Sequence, residues 1–219
     1  AVLLLAAFDR LCERGHTLLV VDHDLDLVRA ADRITELGPG SGPEGGHVIA
    51  AGTPGEIEAC VDAPTGAALR DWSRSRATAL RGRSGPLQEA LRGEPGPRPG
   101  DAPMSGLDAP LELSGVTTHN LRGIDIAIPA AGLTVVTGPS GSGKSSLVFD
   151  TLLAESQARF ADLVSPWARR LLPMRGGAEL VCARGLRAAI AVPAQAGRRN
   201  PRASVGTATE VDELLRLLF

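Results

Sequence analysis

The chain has 219 residues, of which 43% are hydrophobic and 22% are charged, and its formal net charge is −2. These values are ordinary for one large or two small globular domains, and they exclude a uniformly basic nucleic-acid-binding protein. No apolar run approaches the length of a transmembrane helix, so no membrane association is predicted. The three cysteines are widely separated, which argues against disulfides and zinc and predicts a reducing, cytoplasmic compartment.

Residues 1–70 alternate between helical and strand patterns, as in the closing part of an α/β domain. The predicted elements are a helix over 3–14, a strand over 16–21, a helix over 25–31, strands near 33–37 and over 47–51, and a helix from Pro54. A glycine-rich stretch over 38–46 separates the last two strands. Residues 71–110 are rich in Arg, Gly, Pro and Ser without periodicity, which predicts a flexible linker.

A second α/β pattern occupies residues 111–219. Strands are predicted over 111–113, 124–128 and 133–136, followed by a glycine loop and by a helix that runs to about residue 153. The remainder is expected to be mainly helical, with a turn-rich part over 197–206. The order of strand, glycine loop and helix favours a nucleotide-binding α/β fold.

Residues 138–145 match the complete phosphate-binding pattern G-x-x-x-x-G-K-[ST]. Lys144 is the single lysine of the chain, and its compact ammonium can reach between β- and γ-phosphates where a planar guanidinium is larger. Ser145 is the predicted Mg²⁺ ligand. The residues expected to contact nucleotide are Gly138, Pro139, Ser140, Gly141, Ser142, Gly143, Lys144, Ser145 and Ser146. A chance turn is the alternative, but the apolar strand before it and the apolar helix after it favour an ATP site.

His23 follows the apolar strand over 16–21 and is flanked by Asp22, Asp24 and Asp26. Catalytic groups of parallel-sheet nucleotide folds lie at the carboxyl ends of strands, so an imidazole here could bind a γ-phosphate or its attacking water. A solvated turn histidine is the competing interpretation. The aspartates could form a metal cluster, but their place before a predicted helix favours N-capping.

Strings at 20–26 (Val-Val-Asp-His-Asp-Leu-Asp), 30–40 and 45–54 resemble the end of an ATP-binding cassette (ABC) domain, and the glycine-rich middle resembles the version found in the UvrA family. That family comprises the damage-recognition subunits of bacterial nucleotide excision repair. Residues 111–219 are similar to the same family, notably in the strings at 119–125, 149–156, 200–210 and 215–219. All cassette ATPases share the phosphate loop, whereas the string at 200–210 (Asn-Pro-Arg-Ala-Ser-Val-Gly-Thr-Ala-Thr-Glu) is what favours UvrA over a transporter.

The resemblance implies a P-loop NTPase fold of ABC type: the end of one cassette at 1–70, a linker at 71–110, and the start of the next cassette at 111–219. It implies that Lys144 and Ser145 bind the phosphates and Mg²⁺ of ATP, that His23 senses the γ-phosphate, and that Gln195 contacts Mg²⁺ or water. A switch histidine normally serves the loop of its own cassette, so His23 and Lys144 are expected to belong to different ATP sites. The catalytic glutamate and the ABC signature motif are expected outside residues 1–219, which predicts no ATPase activity for this chain alone.

The implied activity of the longer protein is ATP-driven recognition of lesions in double-stranded DNA, with a UvrB-like partner subunit and as a homodimer. The family's zinc-binding cysteine pairs do not occur in this span, and Cys182 is predicted to be a buried small hydrophobe. No aromatic residue stands just upstream of the loop to stack on adenine. A UvrA-like paralogue, another ABC ATPase acting in drug resistance or transport, and a non-catalytic interaction fragment are the alternatives.

Several arginines could contact DNA phosphates, although solvated helix ends and a loop are the favoured interpretation. They are Arg169, Arg170, Arg198, Arg199 and Arg202. Trp72 and Trp167 could stack on bases, but Trp167 is predicted to pack against the helix that it begins.

Overall fold

The computed structural model describes residues 2–80, 109–163 and 177–192. The helices are α1 (Val2–Glu13), α2 (Leu25–Ala30), α3 (Pro54–Ala59), α4 (Pro64–Leu80), a π-helical segment (Ser146–Leu153) and α5 (Ala154–Leu163), with a short 3₁₀ turn at Gly42–Glu44. The strands are β1 (Leu18–Val21), β2 (Arg33–Gly38), β3 (His47–Gly52), β4 (Leu111–Val116), β5 (Ile124–Ile128), β6 (Leu133–Thr137) and β7 (Cys182–Arg184). The mixed α/β class predicted from periodicity is therefore confirmed.

The larger sheet has the strand order β1-β6-β2-β3. β6 is parallel to both of its neighbours, with Val21 opposite Val136 on one side and Ile34 opposite Val135 on the other, while β3 closes the sheet antiparallel to β2. All five residues of β6 are buried. A strand buried on both faces and paired on both edges forms the centre of a sheet. The strand before the phosphate loop is thus enclosed by strands from the first part of the chain.

This arrangement differs from the expectation of two partial domains that do not share an ATP site. Residues before the predicted linker supply β1, β2 and β3, and residues after it supply β6, yet the four strands form one sheet. The reason is pairing: β6 needs a hydrogen-bonding neighbour on each edge, and β1 and β2 provide parallel partners in register.

The smaller sheet is antiparallel, with the order β5-β4-β7. Its strand β7 lies in a region expected to be mainly helical, and that expectation is wrong for residues 182–184. The backbone of Cys182 pairs with that of Ser114 in β4, and this ladder outweighs local helix propensity. Cys182 itself is only half-buried, contrary to the prediction of a buried residue.

The predicted start of the linker at residue 71 is also wrong, because α4 continues to Leu80. Leu69 is fully buried, and the Arg70 guanidinium donates a hydrogen bond to the Cys60 carbonyl (3.1 Å), so the helix is held against α3. Residues 81–108 lie outside the described residues. None of the helices in the described parts of the chain combines the length and apolar character that a bilayer span requires.

Two hydrophobic cores cover the two faces of β6. Val136 packs into the core that joins the smaller sheet to the π-helical segment, while Leu133 and Val135 pack into the other. Alternate residues of a strand point to opposite faces, which explains this division. The buried partners of Leu133 and Val135 come from the first part of the chain: Leu27, Val28, Ala31, Ile34, Ile57, Ala63 and Leu69.

Candidate nucleotide-binding site

The phosphate loop connects β6 to the π-helical segment, which is the strand-to-helix context that its sequence pattern requires. Gly138, Gly141 and Gly143 all adopt positive φ angles, at 129°, 77° and 104°. A Cβ atom on Gly138 would lie 2.0 Å from the Leu37 carbonyl oxygen, so a side chain there would collide with β2. Pro139 and Ser140 are exposed at the tip of the loop. The loop is therefore a backbone concavity of the kind that binds phosphate.

Lys144 turns its ammonium group back onto the loop. Its Nζ donates hydrogen bonds to the carbonyl oxygens of Gly138 (2.7 Å) and Pro139 (2.6 Å). The side chain is half-buried, and the resulting desolvation lowers the pKa of Lys144 below its usual 10.5. A bound phosphate would offer this ammonium a full negative charge in place of two carbonyl dipoles. Lys144 is therefore suited to bind the phosphates of a nucleotide.

Two serines of the loop, Ser142 and Ser145, and Ser146 directly after it have different environments. Ser142 is fully buried, and its Oγ has no hydrogen-bond partner among the residues that the structure describes. Ser145 is exposed, so its hydroxyl can reach a metal ion carried by the nucleotide. Ser146 Oγ lies 3.3 Å from Nδ1 of His119, which in turn lies 3.5 Å from Oδ2 of Asp150. Lys144 and the loop N–H groups are suited to the phosphates of ATP, and the Ser145 hydroxyl is suited to be a protein ligand of Mg²⁺.

No cluster of three or more His, Cys, Asp or Glu residues that could hold a metal ion occurs within residues 2–80, 109–163 and 177–192. A Mg²⁺ ion carried by the nucleotide would be held mainly by phosphates and water, with Ser145 as its protein ligand. Mg²⁺ typically keeps several waters and binds through one or two protein groups plus phosphates.

His23 lies at the same sheet edge as the phosphate loop. Val21 pairs with Val136. β1 ends two residues before His23, and β6 ends at Thr137, directly before Gly138. The carboxyl ends of parallel strands meet at one edge, where nucleotides bind in open α/β sheets. The side chain of His23 is 97% exposed and can turn toward a ligand. The pairing of β1 with β6 brings both residues to one sheet edge, an arrangement that differs from the expectation that His23 and Lys144 belong to different ATP sites.

The aspartates around His23 shape the turn and the following helix. The Asp22 carboxylate accepts hydrogen bonds from the backbone N–H groups of His23 (2.7 Å) and Asp24 (3.0 Å). Asp24 is the N-cap of α2 and accepts from the N–H groups of Asp26 (2.9 Å) and Leu27 (3.4 Å). The N-capping interpretation is confirmed for Asp24.

Sequence reasoning missed a buried polar group behind the loop. The Glu36 carboxylate, on a residue that is 1% exposed, accepts hydrogen bonds from the backbone N–H (3.0 Å) and hydroxyl (2.7 Å) of Thr65 at the start of α4. The Thr65 hydroxyl also lies 3.1 Å from the hydroxyl of Thr137, which directly precedes the loop. The available signal was a glutamate between the apolar residues Ile34 and Leu37 of a predicted strand, since buried acids need partners.

Of the other predicted residues, the structure describes Trp72 alone. Trp72 is half-buried on α4. The following all lie outside the described residues: Gln195, Trp167, Arg169, Arg170, Arg198, Arg199, Arg202 and the strings at 200–210 and 215–219.

A glycine loop between a buried parallel strand and a helix, with one lysine reaching over it, defines a nucleotide-binding protein of the P-loop class. No protein-family model matches the chain. UvrABC system protein A of Chlamydia trachomatis is 35% identical over 217 residues, which cover 99% of this chain and 11% of that protein. The proteins of the same name from Neisseria meningitidis and Escherichia coli are each 47% identical over 109 residues, covering 50% of this chain and 12% of theirs.

A solved structure, UvrA2 from Deinococcus radiodurans, is 43% identical over 50% of this chain and 14% of its own, with a TM-score of 0.38. The chain belongs to the UvrA family. It spans roughly a ninth of the length of the curated relatives that it matches, as their coverage of 11–12% shows.

Proposed function

We propose that this chain is the nucleotide-binding segment of a UvrA-like subunit that uses ATP to control the recognition of damaged double-stranded DNA in nucleotide excision repair. The observation that carries the proposal is the phosphate loop at the end of β6, with Lys144 Nζ poised 2.7 Å from the Gly138 carbonyl oxygen. The family supplies the context, because the relatives are named as components of the UvrABC system.

In the proposed site, Lys144 and the loop N–H groups hold the β- and γ-phosphates, and the Ser145 hydroxyl binds Mg²⁺. The bound ion would neutralise phosphate charge. His23, at the same sheet edge, contacts the γ-phosphate or the water that attacks it in line, and Gln195 contacts Mg²⁺ or water. Preorganised positive groups of this kind stabilise the charge that develops on the transferred phosphoryl group.

We infer an ABC-type architecture in which residues 1–70 come from the end of one cassette and residues 111–219 from the start of the next. The idea rests on the resemblance of the strings at 20–26, 30–40 and 45–54 to the end of a cassette and of residues 111–219 to the start of one. In the structure, strands from both parts share the β1-β6-β2-β3 sheet. The proposed partners are lesion-bearing duplex DNA, a UvrB-like subunit and a second copy of the longer protein, in a cytoplasmic setting.

A titration of the longer protein tests the function. Lys144→Ala is expected to remove ATP binding at one site, because the ammonium that neutralises the phosphates is lost, and to abolish the effect of ATP on binding to a lesion-bearing duplex. Wild-type binding should favour that duplex over an intact one and weaken as salt rises. Arg74→Ala, which removes a charge from an exposed pair on α4, serves as the control.

Two outcomes would count against the proposal. Unchanged ATP stoichiometry in Lys144→Ala would remove the nucleotide assignment. Equal affinity for damaged and intact duplexes would instead favour an ABC ATPase of drug resistance or transport, which binds a protein or small ligand.

A further inference from the structure

We propose that the glycine-rich turn, residues 40–46, is a positioning element for the phosphate loop, and that nucleotide affinity depends on it. The proposal rests on the proposed function, since it concerns the same nucleotide site. The turn lies between β2 and β3, about a hundred residues before the loop in sequence, as their numbering shows. The sequence pattern gives no sign that the turn contacts the loop.

Two backbone hydrogen bonds join the turn to the loop. The N–H of Gly42 donates to the carbonyl oxygen of Gly141 (3.0 Å), and the N–H of Gly46 donates to that of Ser142 (3.1 Å). Asn120, from the connection between β4 and β5, adds a third bond from its Nδ2 to the Gly141 oxygen (3.0 Å). Both carbonyl oxygens are thereby held toward protein donors.

This matters because a phosphate-binding loop must present N–H groups and keep its carbonyl oxygens away from the anion. The carbonyls of Gly138 and Pro139 accept from Lys144, and a nucleotide that draws the ammonium away would remove these two hydrogen bonds. The bonds from Gly42, Gly46 and Asn120 involve no group that nucleotide needs. They can therefore hold the central carbonyls in place with and without ligand, which lowers the ordering cost of binding.

The fit at Gly46 leaves no space for a side chain. Gly46 has a φ of +83°, and a Cβ there would lie 1.9 Å from the Asn120 carbonyl oxygen and 3.1 Å from Leu121 Cα. The Gly46 carbonyl in turn accepts a hydrogen bond from the N–H of Arg122 (3.0 Å). The turn is thus packed and hydrogen-bonded between the phosphate loop and the β4–β5 connection.

The test uses the whole 219-residue chain and a fluorescent ATP analogue with Mg²⁺. Gly46→Ala is expected to weaken binding about tenfold, because displacing the turn disturbs the hydrogen bonds to Ser142 and Gly141. Gly15→Ala is the matched control: Gly15 has nearly the same φ, +82°, but nothing lies within 4 Å of its Cβ position. It carries the same backbone strain far from the loop, and its affinity should equal that of the wild type.

A second variant covers the case in which Gly46→Ala fails to fold. Asn120→Asp keeps the size of the side chain and removes the N–H donor to Gly141, so it should weaken nucleotide binding and speed hydrogen exchange of the loop amides at 140–145. Its melting temperature should stay near that of the wild type, because Asn120 is only half-buried. Asn120→Gln, which keeps the donor, should restore part of the affinity.

The outcomes separate this inference from the proposed function. A wild-type chain that binds no analogue, or a Lys144→Ala chain that binds as well as the wild type, would overturn the nucleotide assignment itself. If the wild type binds and Lys144→Ala does not, wild-type affinity in both Gly46→Ala and Asn120→Asp would overturn the positioning role alone. If Gly46→Ala does not fold, the nucleotide affinity of Asn120→Asp and the hydrogen exchange of its loop amides decide whether the positioning role holds.

Discussion

At the scale of single residues, the properties of Lys144 depend on its surroundings in the fold as well as on its residue type. Its place in the loop pattern marks it as a phosphate ligand, and it is the only lysine of the chain. The fold adds that Nζ donates to two loop carbonyls and that desolvation lowers the pKa of the group. A lysine with a lowered pKa loses its proton at a lower pH than an exposed lysine does.

Nucleotide affinity is expected to fall as pH rises through the lowered pKa of Lys144, below the usual value of 10.5. Binding needs the ammonium, so deprotonation removes the positive charge that pairs with the phosphates. Titrations of the 219-residue chain with an ATP analogue across the alkaline range would show this decline, accompanied by proton uptake on binding. Lys144→Gln should bind weakly with no such dependence, and a wild-type affinity that stays constant up to pH 10.5 would contradict the assignment.

At the scale of elements, Glu36 fastens α4 to the sheet beside the phosphate loop. The carboxylate lies at the start of α4, where the helix dipole favours negative charge, and it accepts from the N–H and hydroxyl of Thr65. The Thr65 hydroxyl has one proton, which goes to Glu36, so the Thr137 hydroxyl donates to Thr65. Three elements, β2, α4 and β6, therefore meet in one buried chain of hydrogen bonds.

Thr65→Val should lower the free energy of unfolding by about 1–3 kcal/mol, because it keeps the shape of the side chain and leaves the buried Glu36 carboxylate and Thr137 hydroxyl without this partner. Thr65→Ser retains the hydroxyl and is the matched control, expected to be close to the wild type. Urea denaturation of the three proteins measures the difference. Equal stability of Thr65→Val and Thr65→Ser would show that the network contributes nothing.

At the scale of the whole molecule, the two parts of the chain are held together by β6. Leu133 and Val135 pack against α2, β2, α3 and α4, all of which precede residue 81. The sheet gives the same picture, with the N–H of Leu18 donating to the Gly132 carbonyl oxygen (2.8 Å) and the Asp32 carboxylate accepting from the N–H of Leu133 (2.7 Å). Residues 2–80 should consequently depend on β6 for their stability.

Leu133→Ala is expected to destabilise the chain by about 2–5 kcal/mol through loss of buried contact and formation of a cavity. The loss should appear in the first part of the chain, as faster hydrogen exchange in α2 and α4. Leu3→Ala, at a site that is 89% exposed, removes the same atoms and should change stability by less than about 0.5 kcal/mol. Unchanged protection of α2 and α4 in Leu133→Ala would mean that the two parts fold independently.

The phosphate loop, its lysine, the cap at Asp24 and most helices and strands of the described residues were predictable from sequence, since each depends on the spacing of nearby side chains. The ends of α4 and the strand β7 were not, because contacts with α3 and β4 override local composition there. The role of Glu36 was missed for the same reason, because its hydrogen-bond partners are distant in sequence.

The amino-acid sequence by itself determined the α/β class and the resemblance to the UvrA family and predicted a phosphate site, because local patterns encode all three. Only the tertiary structure decided that β1 and β6 are neighbours, so that His23 and the loop share one edge, and that Gly42 and Gly46 bond to the loop. The physical reason is that a strand's own pattern specifies burial but not its partner, which is chosen by register, edge pairing and packing across the whole chain.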